Sequence, residues 1–304
     1  MVNRLLDVTT LESIQILPVE LLDQNRSTVE SLKKLAAGLG IGLGWHYLLD
    51  LSWMLDRLGD VTSKHILDAG AGSGLMQWAL AERGAEVISV DRGSRAELSL
   101  RFRAAYHVEG MRPQDLAPAR SVFTRNLNQA VGLGLKTVAA LRGLAGLIKI
   151  SLPKSAPGKV IIYNTDLSDM RLVSDNSMDA VVAVSALEHN QPKDLPGVVK
   201  ELMRVLRPGG ILLATLGAAR DEDWFHQPSQ GWCYTSQTLA QLFNLPADVS
   251  SNYDRYDEIF STLKNCAELR DNLAPFYFQS GNNGMPWGVW DPQYPPVGLC
   301  KVKW

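Results

Sequence analysis

The chain has 304 residues, of which 46% are apolar and 20% are charged, so it can bury a sizeable core and is neither disordered nor fibrous. Its 30 Lys and Arg residues nearly balance 32 Asp and Glu residues, and this net charge of -2 argues against a nucleic-acid partner. The charge is uneven, because residues 92–159 hold 12 Lys or Arg and only 3 Asp or Glu, a local excess of +9. We therefore expect an anionic or membrane-bound small substrate to bind near this segment.

The amino terminus and the cysteines both favour a cytoplasmic protein. Residues 1–15 contain acidic side chains and no apolar core, so they do not resemble a signal peptide. Charged or polar residues also interrupt every apolar run before it reaches the length of a membrane-spanning helix. The cysteines Cys233, Cys266 and Cys300 are odd in number and lack the spacing of a zinc or redox site. We predict a reducing compartment, no metal site, and no membrane contact beyond a peripheral one.

The predicted elements begin with a helical segment, residues 1–60, in which apolar side chains recur at helical spacing. From Lys64 onward, short apolar runs typical of buried parallel strands alternate with helical patterns. The strand-like runs span 65–70, 85–91, 159–164, 179–185 and 210–217, and helical patterns between them span 73–84 and 194–210. This alternation predicts an α/β sheet with right-handed crossovers.

The second and third predicted strands are separated by residues 92–158, far more than one crossover needs. We interpret this segment as a helical, basic insertion. Within it, residues 127–152 are apolar except for Lys136, Arg142 and Lys149, whose spacing places them on roughly one side of a helix.

Three interpretations of this insertion stay open. It can be a helical lid that packs on the α/β sheet and exposes a basic edge. It can attract an anionic small molecule through arginines at the mouth of a binding site, or rest its apolar face on anionic lipid beside a lipid-linked molecule. The arginines considered for the mouth are Arg95, Arg101, Arg103, Arg112 and Arg120.

The carboxyl-terminal part is aromatic, because 15 of the 23 Trp, Tyr and Phe residues lie within residues 221–304. Flat rings on loops suit stacking against a sugar or an aromatic acceptor. They can equally cover the end of the sheet, where residues 297–303 are predicted to form a last strand. The rings concerned are Phe276, Tyr277, Phe278, Trp287, Trp290 and Tyr294.

A glycine-rich turn follows the first predicted strand. Asp68 and Ala69 lead into Gly70-Ala71-Gly72-Ser73-Gly74, and the chain then continues as a helix. Glycines there let the backbone approach a ligand at the positive end of the helix. A dinucleotide fingerprint would be G-x-G-x-x-G, but position 75 is Leu, so the spacing argues against NAD.

Two further acids follow neighbouring strands. Asp91 ends the second predicted strand, where a carboxylate can accept hydrogen bonds from ribose hydroxyls. Asp166 follows the third strand and could accept a hydrogen bond from an adenine amino group. We therefore interpret both as ligand-binding residues at the carboxyl edge of the sheet.

These blocks, taken in order, resemble the class I SAM-dependent methyltransferases, in particular the group that includes ubiquinone and menaquinone C-methyltransferases and many small-molecule methyltransferases. The resemblance covers residues 64–217 without the insertion. Its blocks are D-x-G-x-G-x-G from Asp68, the strand-end Asp91, D-L-x-D-x-x-L-x-x-x-x-S-x-D from Asp166, L-E-H at 187–189 and L-R-P-G-G at 206–210.

The resemblance implies a Rossmann-like α/β fold with a seven-stranded, mostly parallel sheet, helices on both faces, and SAM at the carboxyl ends of the strands. It implies that the glycine loop contacts the methionine part of SAM, that Asp91 binds its ribose, and that Asp166 and Leu167 contact its adenine. Ser185 would lie under the sulfonium, and Asp68 would orient the loop. The implied cofactor-binding residues are Asp68, Ala69, Gly70, Ala71, Gly72, Asp91, Asp166, Leu167 and Ser185.

Methyl transfer is an in-line displacement, so the enzyme mainly has to align the acceptor with the methyl group. A general base is needed only if the acceptor loses a proton. His189 is the predicted catalytic base because it follows the fourth strand, and Glu188 is the second choice, although His189 can simply shape its loop. His226 is a weaker candidate, and residues 45–47, Trp-His-Tyr, are interpreted as core.

We predict three parts: a helical segment (1–60), a SAM-binding catalytic domain (61–220) that contains the insertion, and an aromatic acceptor region (221–304) that completes the sheet. The predicted activity is methyl transfer from SAM to a small molecule. The preferred acceptor is a glycan or its lipid-linked precursor, and the second choice is a quinone or polyketide-like aromatic. A SAM- or SAH-binding protein without transferase activity stays open as an alternative, whereas Leu75 disfavours an NAD-dependent oxidoreductase.

Overall fold

The computed structural model describes residues 12–246, 248–273, 285 and 289–304. Over these residues the helices are α1 (Leu21–Gln24), α2 (Arg26–Leu39), α3 (Tyr47–Leu58), α4 (Met76–Glu82), α5 (Leu100–Ala105), α6 (Ala119–Gln129), α7 (Leu133–Ile150), α8 (Leu195–Val205), α9 (Ser236–Leu242), α10 (Tyr256–Lys264) and α11 (Ala267–Asp271). The strands are β1 (Ser13–Ile16), β2 (His65–Ala69), β3 (Glu86–Asp91), β4 (His107–Gly110), β5 (Lys159–Asn164), β6 (Met178–Val184), β7 (Leu206–Ala218), β8 (Trp224–His226), β9 (Gly231–Tyr234), β10 (Ser250–Ser251) and β11 (Pro296–Val302). Of the predicted acceptor aromatics, Phe276, Tyr277, Phe278 and Trp287 lie outside the described residues.

The chain divides into two compact units. Unit 1 comprises Met1–Gly59 and Val173–Trp304, and unit 2 comprises Asp60–Leu172. Each unit combines strands with helices, and parallel strand pairs outnumber antiparallel ones. The predicted α/β class with mostly parallel pairing is therefore confirmed.

Unit 2 contains four strands in the order β2-β3-β5-β4, and all three pairs are parallel. The register pairs Asp68 with Ser89 and Asp91 with Asn164. The inner strands bury nearly continuous apolar runs, as strands covered on both faces should. Because the strands run the same way, their carboxyl ends, with Asp68, Asp91 and Asn164 nearby, share one edge.

Helices α4 and α5 pack on each other in unit 2 through one buried indole. The Trp78 side chain, which is 1% exposed, stacks on Phe102 with ring centroids 4.8 Å apart and planes 11° apart. Its centroid also lies 4.8 Å from that of Tyr106. This cluster fixes α4, the helix that follows the glycine loop.

Unit 1 contains a mixed sheet in the order β10-β1-β11-β7-β6, with β9 beside β7 and β8 beside β9. Helix α3 packs against this sheet and is almost entirely buried. The indole of Trp53 lies over Gly298 of β11, where a Cβ atom would come within 2.8 Å of the ring. That glycine therefore sets how closely α3 approaches the sheet.

Three predictions about the elements are corrected. The described residues form eleven strands where the resemblance implies seven, and one of them, β1, lies within the segment predicted to be helical. The short edge strand β4 lies inside the predicted helical insertion and pairs with β5; its four residues are too few and too polar to show a strand pattern. Helix α8 ends at Val205 rather than at 210, because Pro208 disfavours the helical conformation of Arg207 before it.

The long helix α7 of the insertion exposes its apolar side chains. Its inner side contains Gly143 and Gly146, where a Cβ would lie 2.1 Å from Phe123 and 3.2 Å from Leu100. The glycines therefore let α7 pack closely on α6 and α5. We call the outward set the exposed apolar face of α7; it consists of Leu135, Val138, Leu141, Leu144 and Ile148, which are 42–65% exposed. Within the described ranges, no helix has both the length and the apolar character needed to cross a membrane.

Candidate functional site

The glycine loop of unit 2 folds back on β3. Gly70 and Gly72 have φ angles of 73° and 46°, a left-handed conformation that glycine adopts without a steric penalty. The backbone N–H groups of Gly70 and Ala71 both donate to the carbonyl of Val90, at 2.9 and 3.0 Å. The loop is therefore held at the carboxyl end of the strand that bears Asp91.

The Asp91 carboxylate fixes the loop directly. Its Oδ2 accepts a hydrogen bond from the N–H of Gly72 at 2.8 Å, and its Oδ1 accepts one from Gly93 at 2.6 Å. Each carboxylate oxygen can accept a second hydrogen bond, and the side chain is only half-buried. Asp91 can therefore orient the loop and still accept hydrogen bonds from the two hydroxyls of a ribose.

Asp68 lies beneath the loop and is 2% exposed. Burial raises the pKa of its carboxyl to about 7, an effect that Arg95 and the backbone N–H of Gln77 partly oppose. Its Oδ2 is buried and has no hydrogen-bond partner among the residues that the structure describes. An unsatisfied buried carboxylate oxygen is costly, so it marks a place where a donor or a cation would be stabilising. The amino group of a bound methionine moiety fits that requirement.

Three further residues, whose role no sequence motif predicted, hold the loop from below. Gln77 donates through Nε2 to the carbonyl of Gly74 at 3.1 Å and accepts from Ser89 Oγ at 2.7 Å. Arg95 donates to Ser89 Oγ, to the Ser89 carbonyl at 2.6 Å, and to the Gly72 carbonyl at 3.5 Å. The signal available in the sequence was a polar residue, Ser89, inside an otherwise apolar strand.

The raised pKa of Asp68 predicts how stability depends on pH. An unfolded aspartate titrates near about 3.9, so between that pH and about 7 the folded protein binds more protons. The free energy of unfolding of the ligand-free protein should therefore fall as pH rises through this window, by up to about 4 kcal/mol. Urea denaturation at pH 4.5 to 8 measures it.

The matched variant for this prediction is Asp68→Asn, which keeps the shape of the side chain but cannot ionise. It should lose this contribution to the pH dependence. The exposed Asp60 serves as a contrast, because the Thr62 backbone N–H lowers the pKa of its carboxyl. An Asp68→Asn variant with the same pH slope as the native chain would contradict the assignment.

Asp166 and Leu167 follow β5 at the same edge of unit 2. The Asp166 side chain is exposed, and its Oδ1 accepts hydrogen bonds from the Ser168 hydroxyl at 2.7 Å and the Ser168 N–H at 2.9 Å. These hydrogen bonds lower the pKa of Asp166, so it is ionised at neutral pH. Leu167 is half-buried and offers an apolar surface beside it.

Several arginines of the insertion form hydrogen bonds with nearby groups of the chain. The Arg103 guanidinium donates to the carbonyls of Leu98, Ala96 and Ala117. Arg112 forms two 2.9 Å hydrogen bonds with the Asp115 carboxylate. Together with Arg95, these residues form hydrogen bonds within unit 2, and the interpretation that they line an anion-attracting mouth stays a prediction.

In unit 1, the remaining predicted residues follow β6. Ser185 has a φ angle of 46°, which is uncommon for a residue other than glycine, and its hydroxyl donates to Glu188 Oε1 at 2.5 Å. Burial raises the pKa of Glu188, and its Oε2 lacks a hydrogen-bond partner in the described ranges. His189 is exposed, and its Nδ1 lies 3.0 Å from the carbonyl oxygen of Gln230.

These side chains line a cavity of about 50 Å³ inside unit 1. The opposite wall is formed by residues just before and at the start of α3, together with Ser229 and the buried Tyr294. The predicted core residues Trp45 and His46 are indeed buried, at 3% exposure each, but they also line the cavity. His226 is not part of the wall; its Nδ1 lies 2.7 Å from Ser229 Oγ.

The structure therefore groups the predicted residues in two sets. Unit 2 brings the glycine loop together with Asp68 and Asp91 at the edge that Asp166 also follows. Unit 1 brings Ser185 together with Glu188 and His189.

A comparison with known protein families finds a match to part of the chain. The family model described as "Methyltransferase domain" matches residues 115–214. This part of the chain therefore matches a methyltransferase domain. SAM is the cofactor that the sequence resemblance implies, and the unpartnered Asp68 oxygen and the free acceptor positions of Asp91 fit its ammonium and ribose groups.

Individual relatives show wide divergence. A probable methyltransferase of Aspergillus luteorubrus is 31% identical over 85 residues, which cover 28% of this chain and 30% of that protein. The chain thus matches less than a third of that relative's length. A ubiquinone biosynthesis O-methyltransferase of Leptothrix cholodnii is 23% identical over 209 residues, 67% of this chain and 82% of that protein. The phosphoethanolamine N-methyltransferase 2 of Haemonchus contortus, solved with SAM, aligns at 15% identity over 93% of this chain and 59% of that one, with a TM-score of 0.44.

Proposed function

We propose that the chain transfers the methyl group of SAM to a hydroxyl group of a small-molecule acceptor. The observation that carries this proposal is the glycine loop held by Asp91 above the buried, unsatisfied Asp68. The acid–base residues of the unit 1 cavity support a hydroxyl acceptor, because an oxygen must lose its proton to become a good nucleophile. The name of the Leptothrix cholodnii relative, an O-methyltransferase, supports the same acceptor atom.

The residues of the chain have three tasks in this reaction. Bound SAM supplies an electrophilic methyl group, and the protein aligns the acceptor oxygen with it. Asp91, Asp166 and Leu167 bind the nucleoside part, and the glycine loop with Asp68 binds the methionine part. Ser185 contacts the sulfonium end. We propose that residues 61–220 perform this binding and that residues 221–304 contribute contacts to the acceptor.

His189 is available as a proton acceptor. A carbonyl oxygen only accepts hydrogen bonds, so the Nδ1 that faces Gln230 carries the proton and the Nε2 of a neutral ring bears a lone pair. The side chain is exposed, so a proton bound there exchanges readily with solvent. We retain His189 as a catalytic candidate at the rim of the cavity.

We propose that the acceptor is apolar enough to be held at a membrane, as a lipid-linked precursor of a glycan or as a phenol of the quinone or polyketide type. The exposed apolar face of α7 supports this, since monomeric proteins rarely expose a continuous apolar stripe. Lys136, Arg142 and Lys149 on the same helix would meet anionic headgroups. Three free cysteines are in keeping with the reducing, cytoplasmic location that we propose.

Vesicle co-sedimentation tests the membrane contact. Replacing Leu141 and Ile148, each 65% exposed, by Asp should abolish binding to vesicles of phosphatidylcholine with phosphatidylglycerol. Burial of each side chain is worth about 1.5–3 kcal/mol, so the double variant should bind at least about 100-fold more weakly. The matched control is Leu172→Asp, a leucine 51% exposed and outside α7, which should bind like the native chain. Equal binding by all three proteins would contradict the proposal.

A radiolabelled methyl group tests the activity itself. Incubation with methyl-labelled SAM and a panel of phenols, aliphatic alcohols and amines should give labelled O-methyl products and one SAH per methyl group transferred. Transfer to amines alone, or hydrolysis without transfer, would overturn the O-methylation proposal.

A further inference from the structure

His46, one of the residues that line the cavity of unit 1, forms a buried pair with Asp50. His46 Nδ1 lies 2.7 Å from Asp50 Oδ2, and the two side chains are 4% and 0% exposed. They are four residues apart, one turn of helix, at the beginning of α3. Because a carboxylate only accepts hydrogen bonds, Asp50 holds the proton of the imidazole on Nδ1 and leaves a lone pair on Nε2.

Unsatisfied polar atoms lie around this pair. In the described part of the chain, neither Asp50 Oδ1 nor Glu188 Oε2 has a hydrogen-bond partner, although both are buried. Glu188, His46 and Ser185 all line the cavity of about 50 Å³. Buried polar groups without partners are costly, which indicates that this wall is built for a polar group from outside the chain.

The cavity matches one chemical group in size. Its volume holds a hydroxyl oxygen and the carbon next to it, but not a whole ring. Its lining continues from the buried His46 to the half-buried Tyr47 and the exposed His189, so the rest of a ligand can extend along that rim. The buried Tyr294, whose ring centroid is 6.2 Å from that of His46, closes the other side.

We propose that this cavity binds the hydroxyl group of the acceptor and that His46, oriented by Asp50, is the catalytic base that removes its proton. This inference rests on the proposed O-methylation. His46 Nε2 takes the proton of the acceptor oxygen. SAM, when bound, would supply the methyl group: the oxygen would form the new bond to the methyl carbon, and the electron pair of the broken C–S bond would stay on the sulfur of SAH. Asp50 stabilises the imidazolium that forms. Ser185 keeps Glu188 oriented, so that Glu188 can hydrogen-bond the same hydroxyl.

The acidity of the hydroxyl group selects the class of acceptor. A phenol titrates near about 10, whereas water titrates near about 15.7 and an aliphatic alcohol in the same range. A neutral histidine can therefore share the proton of a phenol far more readily than that of a sugar hydroxyl. The inference thus favours the phenolic acceptor over the glycan among the two classes proposed above.

A phenol that ionises near neutral pH tests this directly. The SAH-bound native protein should bind 4-nitrophenol and lower its pKa by about 1–3, because the bound phenolate faces an imidazolium. The absorbance of the phenolate reports ionisation without any need for turnover. His46→Gln should bind the probe without this change, and Asp50→Asn should behave alike because the amide would favour the wrong tautomer.

Controls separate the base from the fold. Ser52→Ala removes another buried hydroxyl of α3, one that donates to the Leu49 carbonyl at 3.2 Å, and should retain the native response. In the native protein, nitrogen NMR should show His46 protonated on Nδ1 and its Nε2 responding to 4-nitrophenol, a measurement that needs no variant.

The outcomes are distinct. With turnover of a phenol, His46→Gln should lower kcat by about 10²–10⁴-fold while SAH affinity stays native. Native ionisation of 4-nitrophenol by His46→Gln, or loss of it in His189→Gln instead, would overturn the inference. So would failure of the native SAH complex to bind the probe. The proposed function fails separately, if labelled SAM gives no O-methyl product while His46 still ionises the probe.

Discussion

Replacing Asp91 by Ala is expected to abolish measurable SAH binding. The carboxylate makes hydrogen bonds of 2.8 and 2.6 Å to the Gly72 and Gly93 amides, and its free acceptor positions are those that a ribose diol requires. A hydrogen bond to a charged group contributes about 1.5–3 kcal/mol, so losing two should weaken binding by about 10²–10⁴-fold. Isothermal titration calorimetry with SAH measures it.

The control for this prediction is Asp169→Ala. Asp169 is also an acid of unit 2, but its carboxylate pairs with the exposed Arg171 at 2.6 Å and makes no contact with the glycine loop. This variant should bind SAH like the native chain. Circular dichroism confirms that both variants are folded. If Asp91→Ala binds SAH within twofold of the native chain, the assignment of the ribose site is wrong.

Replacing Trp78 by Ala is expected to cost about 3–5 kcal/mol of unfolding free energy, because it removes a buried indole and leaves a cavity. The lost contacts are the stack on Phe102 and the packing against Tyr106, both at 4.8 Å between centroids. The neighbouring Gln77 holds the glycine loop, so SAH affinity should fall as well. Urea denaturation followed by circular dichroism measures the stability change.

Trp304→Ala is the matched variant, because this indole is 69% exposed. It should change the unfolding free energy by no more than about 0.5 kcal/mol. A loss below about 1 kcal/mol for Trp78→Ala would show that this ring does not hold α4 in place.

The sequence was informative where local pattern dictates structure. Apolar runs predicted β2, β3, β5, β6 and the body of β7, because strands covered on both faces must be apolar throughout. The glycine spacing after Asp68 predicted the turn, since left-handed φ angles at Gly70 and Gly72 restrict those positions to glycine.

Interactions between distant segments could not be predicted in this way. Arg95 supports the loop through a hydrogen bond to the carbonyl of Gly72, 23 positions earlier in the chain. No local sequence feature distinguishes this arginine from the others of the insertion. His46 and Asp50 did carry a local signal, a histidine and an acid one helical turn apart. Their apolar surroundings concealed it, because burial and participation in a polar cavity give the same hydrophobic pattern.

The exposed apolar face of α7 also could not be predicted from the sequence. Its apolar content favours burial, and the periodicity alone does not say which side packs. The close approach to Phe123 at Gly143 shows that the glycine side packs, which leaves the leucines outward. The composition of this surface can be read from the sequence, whereas the side of the helix that it occupies is known only from the structure.

The most direct test of the central claim is a calorimetric titration of the native protein with SAH, in parallel with NADH. The account predicts one SAH site per chain, no heat of binding for NADH, and loss of the SAH site in Asp91→Ala. A folded native protein that binds no SAH, or that binds it equally well without the Asp91 carboxylate, would contradict it.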